Sequence, residues 1–442
     1  MEHEGKYRGA LQILQEVCIG CSHCIKVCPT QALRVKGGKA HIQREWCIDC
    51  GECYRVCPTR AIGVKDDDFK TIFNYTHRVL LVPSLFFAQF EDELPRKVIY
   101  DIIGELGFTE VCAVEQSVDT LLEDSNLYVK NATTKPVISS FCPAVIRLIQ
   151  VKFPSLLENI MKLLPPIEIT ALFYQKRFER MGITDYGIFY LTPCVGKIAA
   201  IKSPVGGYKS PITGVINMDF FYNKVYLAYK QNIPITKRIR INGAISSDGV
   251  LFSITGGESK HIEGNTLSID GMENVIDFLE KLENEEIKGV DFIEIRVCDE
   301  SCAGGILSFR NRFLTAQSLR NYSAKMPLKH HLTPDYKHYC SPFIDIENIE
   351  PRSMVKYDPD LNVALKKMES ARKLRELFPG IDCGACGAPT CEALAEDVVK
   401  GEARVDACIF LRTILEKRGE LTLKEAIEIM EEIWGKERFN NH

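Results

Sequence analysis

The chain has 442 residues, 45% of them hydrophobic and 26% charged, with a formal net charge of -4. That suffices for roughly two to four domains with buried cores, so cysteine is not needed as a staple. It argues against a whole-chain nucleic-acid or anionic-membrane binder. The polar start from Met1 to Lys6 is unlike a secretory signal, and a cytoplasmic protein is expected. Against this ordinary background stand 18 cysteines. In such a chain they point to metal ligands or catalytic thiols before disulfides.

The first eight lie in a duplication. Cys18, Cys21, Cys24 and Cys28 precede Pro29, and Cys47, Cys50, Cys53 and Cys57 precede Pro58, with the two segments identical at 10 of 18 positions. Each reads C-x2-C-x2-C-x3-C-P, the run of two-cluster bacterial ferredoxins, in which the fourth cysteine serves the other cluster. One 4Fe-4S cluster is therefore assigned Cys18, Cys21, Cys24 and Cys57, the other Cys47, Cys50, Cys53 and Cys28. Zinc is the competing reading, but it has no use for a duplicated trailing C-P. His23, inside the first loop, is expected to face solvent.

Asp66-Asp67-Asp68 marks a polar boundary closing a domain of residues 1–70. Val79 to Phe90 is apolar but short and contains Pro83, a buried core segment and not a membrane span. The central residues 71–350 read as mixed α/β. Ser155 to Leu164 is expected to be an amphipathic helix presenting Leu156, Leu157, Ile160, Leu163 and Leu164. Val290 to Val297 alternates like a strand running into Cys298. Cys112 and Cys340 read as ordinary thiols, and His330-His331 as a solvated loop.

From about residue 351 an extended segment leads to helices expected over 363–378, 392–403 and 407–417. Between them lie Cys383, Cys386, Cys391 and Cys408 around a glycine-rich loop, where backbone N–H groups can approach sulfides. This pattern resembles the four-cysteine 4Fe-4S module of the Rnf-complex B subunit and the corrinoid iron–sulfur protein; zinc stays open as an alternative. Thr422 and Glu425 form a capping-box signal for a last helix to Trp434. Its expected apolar stripe is Leu423, Ala426, Ile427, Met430, Ile433 and Trp434.

Three segments in the middle carry a further resemblance. Ser139-Ser140-Phe141-Cys142-Pro143, Thr192-Pro193-Cys194-Val195-Gly196-Lys197 and Cys298-x3-Cys302-Ala303-Gly304-Gly305 occur in this order. Val82-Pro83-Ser84, Thr255-Gly256-Gly257 and Phe292-Ile293-Glu294 accompany them. Together they resemble the iron-only (FeFe) hydrogenase large subunit over about residues 78–310. The resemblance implies an α/β fold of two lobes with the H-cluster between them, a ferredoxin domain in front and a helical cluster module behind. Cys142, Cys194, Cys298 and Cys302 would hold the cubane of that cluster. Cys302 would bridge to a diiron unit bearing CO, cyanide and azadithiolate. Lys197 would set its ammonium against a cyanide, and Pro83, Ser84, Gly256 and Gly257 would line the cavity with Phe141, Thr192 and Arg296.

Departures from the family matter equally. A proton-relaying cysteine normally stands where Phe141 does, a methionine at Thr192, a glutamate at Ala200 and a methionine at Arg296. Such changes, with the C-terminal cluster module and no PAS-like segment, resemble the sensory hydrogenases of group D. Glu258, Glu294 and Glu300 are the carboxylates adjacent to these segments, and they are the candidates for a substitute proton relay. The expected protein is a slow, reversible FeFe hydrogenase acting on H2 and protons. Four 4Fe-4S clusters and, once matured, a diiron unit would serve it, with electrons passing to a redox or signalling partner. Maturation proteins would be required, and a homo-oligomer is left open. The alternatives are a catalytic subunit of a ferredoxin-linked complex and a cubane-only carrier or assembly factor.

Overall fold

The duplication and the C-terminal cysteines meet in one body. The computed structural model describes residues 9–90, 94–328, 346, 349–352 and 360–439. It divides into two units: the chain up to Lys65 together with that from Arg352 onward, and Asp66–Pro351. The divisions fall near the expected 70 and 351, but the two terminal modules share a unit instead of standing apart.

In the first unit the strands flanking the two cysteine loops pair in two antiparallel ladders. β1 (Leu11–Ile13) pairs with β4 (Ile62–Val64), and β2 (Leu33–Lys36) with β3 (Lys39–Ile42). The β2–β3 turn is Gly37-Gly38, both at positive φ, where glycine is free of Cβ strain. A Cβ on Gly38 would also lie 2.5 Å from the Trp434 carbonyl oxygen. The C-terminal helices Leu361–Leu377, Cys391–Val399, Ile409–Lys417 and Leu423–Trp434 follow the expected spans, with Cys408 as the residue before the third. Thr422 and Glu425 form the full capping box. The last helix buries Ala426, Ile429 and Ile433, while Leu423 and Ile427 of the expected stripe are exposed.

The second unit carries two parallel sheets. β5 (His77–Val82), β6 (Glu110–Ala113), β8 (Tyr186–Thr192), β9 (Gly214–Asn217) and β10 (Arg240–Asn242) lie in the order β10-β6-β5-β8-β9. β7 (Val137–Ile138), β11 (Thr266–Asp270) and β12 (Phe292–Arg296) lie in the order β11-β12-β7. Parallel strands covered on both faces read as unbroken apolar runs, and Val79 to Val82 are wholly buried. This matches the two-sheet α/β expectation.

Ser155 to Leu164 is a correction. Only a 3-10 turn forms there, Pro154–Asn159, after which Ile160 bridges Ile138 in parallel and Met161 N donates to Ile138 O at 2.8 Å. The leucines are buried as expected, but extension of the small sheet satisfies the backbone that a helix would have paired internally. Among the described residues no helix is long and apolar enough to cross a membrane. Cys340, His330 and His331 lie outside the described residues.

Candidate metal centres

In the N-terminal duplication the thiols gather across the two repeats. Burial pushes the Cys24 thiol up to about 12, and Cys21, Cys18 and Cys57 add to the shift. Burial likewise raises Cys50 well above its ordinary value, with Cys53, Cys28 and Cys47 contributing. Each trailing cysteine is thus beside the other repeat's triad. Backbone N–H groups aim at sulfur in both halves: Ala32 N to Cys28 Sγ and Ala61 N to Cys57 Sγ, each 3.2 Å. Ala40 N adds a third, to Cys18 Sγ at 3.3 Å. Thiols gathered across the two repeats, with N–H donors already pointed at sulfur, fit a cationic iron–sulfur core. Among the described residues no three such side chains converge tightly enough for a single metal ion.

The C-terminal four are arranged around a short loop. Cys391 opens its helix with its N–H bonded to Asp382 Oδ1 at 2.7 Å, and Cys408 precedes the next helix. Burial raises Cys386 to about 11, and Cys383 and Cys408 raise it further. Cys383 itself is exposed.

In the larger unit the candidate site forms at strand ends drawn from both sheets, the usual place for ligands in parallel sheets. Cys142 follows β7 and immediately precedes the helix Pro143–Lys152. Cys194 follows β8 and precedes Val195–Lys202. The Thr192 hydroxyl accepts the Cys194 N–H and donates to the Cys194 carbonyl, both at 3.1 Å, which fixes this turn. Cys298 follows β12, and Cys302 sits in the 3-10 turn Ser301–Gly304, its N–H bonded to Ser253 O at 3.0 Å. Close backbone approach holds the turn in place: a Cβ on Gly305 would stand 2.5 Å from Pro193 O. Burial pushes Cys194 up to about 11, with Cys142 and Cys302 adding and Lys197 opposing.

Lys197 is the cation among these sulfurs. Its Nζ lies 3.4 Å from Cys302 Sγ and 4.5 Å from the centre of the Phe141 ring. Burial alone would lower its ammonium, but Cys302, Tyr190 and Cys194 outweigh that and raise it. The cation is thereby held beside the sulfurs of Cys302 and Cys194.

Phe141 is buried between two cations, with the Arg296 guanidinium 4.3 Å from its ring centre and Phe252 edge-on at 5.1 Å. Arg296 donates to Glu258 Oε2 at 2.6 Å and to Ser139 Oγ at 3.0 Å, and stands 3.7 Å from Glu294. Glu258 also accepts from Ser139 Oγ at 2.6 Å, and its other oxygen is buried with no partner among the described residues. Burial raises its carboxyl, partly countered by Arg296 and reinforced by Glu294. Glu294 accepts three backbone N–H groups, from Gly256, Glu258 and Ser259 at 3.1, 3.0 and 2.8 Å. That makes it the anchor of the Thr255–Ser259 loop, where a Cβ on Gly257 would lie 2.0 Å from Leu251 O. Glu300 is half-buried and pairs with Arg320 at 3.2 Å. Of the three carboxylates, Glu258 alone combines burial with a free oxygen among the described residues.

Two buried acids escaped sequence reasoning because neither stands in a motif. Glu115, just past β6, accepts the Ser84 N–H at 2.6 Å and leaves its second oxygen unpartnered among the described residues. Burial pushes it up to about 7, against the Ser84 bonds and the Lys197 charge. Glu168 accepts from Ser210 Oγ at 2.8 Å, and burial pushes it up to about 7 as well. It lines a cavity with Phe141, Lys197, Arg147 and Ala200. Cys112 behaves as expected: wholly buried, its thiol is pushed up to about 12.

Residues 82–208 match the iron only hydrogenase large subunit, C-terminal domain. That span includes Pro83, Ser84, Cys142, Cys194 and Lys197; Cys298 and Cys302 lie beyond it. Residues 10–58 match a 4Fe-4S dicluster domain and 378–410 an Fe-S cluster domain, each containing its full set of cysteines. Matches to two iron–sulfur families thus flank a match to the hydrogenase large-subunit domain in the sequence. Among curated proteins, it is 51% identical over 35 residues to one component of the Na(+)-translocating ferredoxin:NAD(+) oxidoreductase complex of Acetobacterium woodii, covering 8% of this chain and 10% of that one. It is 30% identical over 78 residues to an uncharacterized protein of Methanocaldococcus jannaschii, covering 18% and 35%. The chain therefore spans about a tenth and about a third of these relatives. Among solved structures, a variant of the FeFe-hydrogenase HydA1 from Chlamydomonas reinhardtii aligns with TM-score 0.48 at 13% identity, over 63% of this chain and 95% of that one. A HydA structure from work on stepwise H-cluster assembly aligns with TM-score 0.48 at 15% identity, over 65% and 96%.

Proposed function

We propose that this chain is an FeFe hydrogenase of low turnover that interconverts H2 with protons and electrons, and whose redox state is read by a signalling partner. The observation that carries the reading is Lys197. A half-buried lysine whose ammonium meets the sulfur of Cys302, among thiols from two sheets, calls for an anionic group to complete it. Cys142, Cys194, Cys298 and Cys302 would hold a cubane there, with Cys302 shared with a diiron unit supplied by maturation proteins. When bound, that unit supplies the metal chemistry of heterolytic H2 cleavage. The chain's own residues orient and insulate it. Lys197 fixes the charge on one side, while Pro83, Ser84, Gly256 and Gly257 shape the wall. Glu294 anchors the wall's loop through three N–H bonds.

Low turnover follows from position 141. Phenylalanine cannot carry a proton, and its ring is clamped by Lys197, Arg296 and Phe252. Protons must go round it, and Glu258 is the carboxylate behind that ring with an oxygen to spare. Electrons would leave through the accessory 4Fe-4S clusters. The test is infrared spectroscopy in the CO and cyanide stretching region after reconstitution with the diiron cofactor, alongside H2 uptake. Bands with slow uptake support the reading. Absence of bands, with intact cubane signals, would replace it with a cubane-only electron carrier.

A further inference from the structure

The two halves of the N-terminal duplication are used differently. Cys28 and Cys57 are equivalent and receive equivalent N–H bonds, but six residues on the halves part: Arg34 in the first, Gly63 in the second. Arg34 is 2% exposed. Its Nε and Nη2 donate to the two carboxylate oxygens of Asp397 at 2.5 and 3.1 Å. Nη1 donates to Gln31 O and Leu33 O at 2.6 and 3.1 Å, and the guanidinium lies 5.3 Å from the Trp46 ring centre. Asp397, also 2% exposed, belongs to the helix that Cys391 begins.

The surrounding backbone shows that this pair sits at a seam. Val35 N donates to Gly387 O at 2.8 Å, Gly37 N to Glu432 O at 2.7 Å and Gly38 N to Ile433 O at 2.9 Å. The loop of the C-terminal cysteines thus completes the edge of β2. On the other side, the Trp46 ring under the guanidinium packs in one apolar cluster with Cys47 and Cys28. One guanidinium therefore lies a single ring away from ligands of the cubane assigned to Cys28, Cys47, Cys50 and Cys53, while a carboxylate from the other module neutralises it.

We propose that Arg34 is a tuning residue through which seating of the C-terminal cluster module lowers the reduction potential of the Cys28/Cys47/Cys50/Cys53 cubane. With Asp397 in place the fork is neutralised at bidentate distance. With Asp397 withdrawn, the full positive charge faces the cluster. It then stabilises the reduced form, which carries one more electron, and the potential rises. Gly63 puts no charge at the equivalent place beside Cys57, so the other cubane should not respond. On this account, unseating of the C-terminal module would be felt at a cubane of the other module. This stands apart from any hydrogen chemistry.

The experiment is an EPR-monitored redox titration of the full chain reconstituted with iron and sulfide, with iron content measured in parallel. Asp397→Asn should raise the potential of one ferredoxin cubane and leave the other in place. The double variant Arg34→Met/Asp397→Asn, with neither charge, should bring it back to the wild-type value. Gly387→Val unseats the module by sterics with both charges retained, since a Cβ there would lie 2.3 Å from Val35 O. It should reproduce the upward shift and decides the matter if Asp397→Asn loses iron. Unchanged potentials in a variant with full iron in the ferredoxin pair, or equal shifts of both cubanes, would reduce the pair to a docking contact and overturn the proposal.

Discussion

Arg296→Met is the sharpest probe of the larger unit. The substitution keeps a long apolar side chain but deletes the guanidinium that binds Glu258 at 2.6 Å and neighbours Glu294 at 3.7 Å. Both carboxylates stay behind, 1% and 0% exposed. Removing one partner of a buried ion pair costs about 3–5 kcal/mol. Loss of the cation over Phe141 adds about 0.5–1 kcal/mol. The sum, about 4–6 kcal/mol, is a large share of a typical stability of about 5–15 kcal/mol. Burial already raises Glu258 with Arg296 in place; without it, burial acts with less opposition. A carboxyl with a raised folded pKa contributes stability that is full below its unfolded value, about 4.3. That contribution is lost as pH rises through the folded value, so the deficit should widen from acid to neutral pH. Urea unfolding of the cluster-free chain, followed by circular dichroism, measures this. Both tryptophans, Trp46 and Trp434, belong to the other unit, so their fluorescence serves as an internal control. Arg296→Met/Glu258→Gln should recover most of the loss. A deficit below about 1 kcal/mol, or a double variant no better than the single one, would refute the ion-pair account.

The other predictions address individual side chains. Cys302→Ala should abolish both the CO and cyanide bands and H2 uptake while the ferredoxin signals persist; retained uptake would remove Cys302 from the site. Glu294→Gln should cost about 1–3 kcal/mol by weakening three charge-assisted bonds to the 256–259 loop. Glu258→Gln, by contrast, should slow H2 oxidation with bands intact. Wild-type rates for Glu258→Gln across about pH 5–9 would favour a water path past Phe141. Glu115, raised to about 7, should make wild-type stability fall as pH rises from about 4.3 through 7. Glu115→Gln should flatten that part of the pH profile, and an unaltered slope would mean that another group is responsible.

Covalent chemistry made much of this protein legible before any folding was considered. Thiolate spacing is local: the ferredoxin repeats carry cysteines three and four residues apart and the C-terminal loop carries Cys383, Cys386 and Cys391 three and five apart, so these loops are written in short range. Capping at Thr422 and the apolar run from Val79 are equally local, and the structure agrees with both. The segment from Ser155 to Leu164 shows where local pattern stops. Its helical periodicity described burial correctly, but pairing with Ile138 decided the backbone. Acids outside motifs, such as Glu115 and Glu168, became visible only when distant elements enclosed them, because a carboxyl's pKa is set by what removes its water. Likewise nothing near Arg34 announces Asp397, 363 residues away. Which charge faces which cluster is a matter of contact between modules, and only the tertiary structure could decide it.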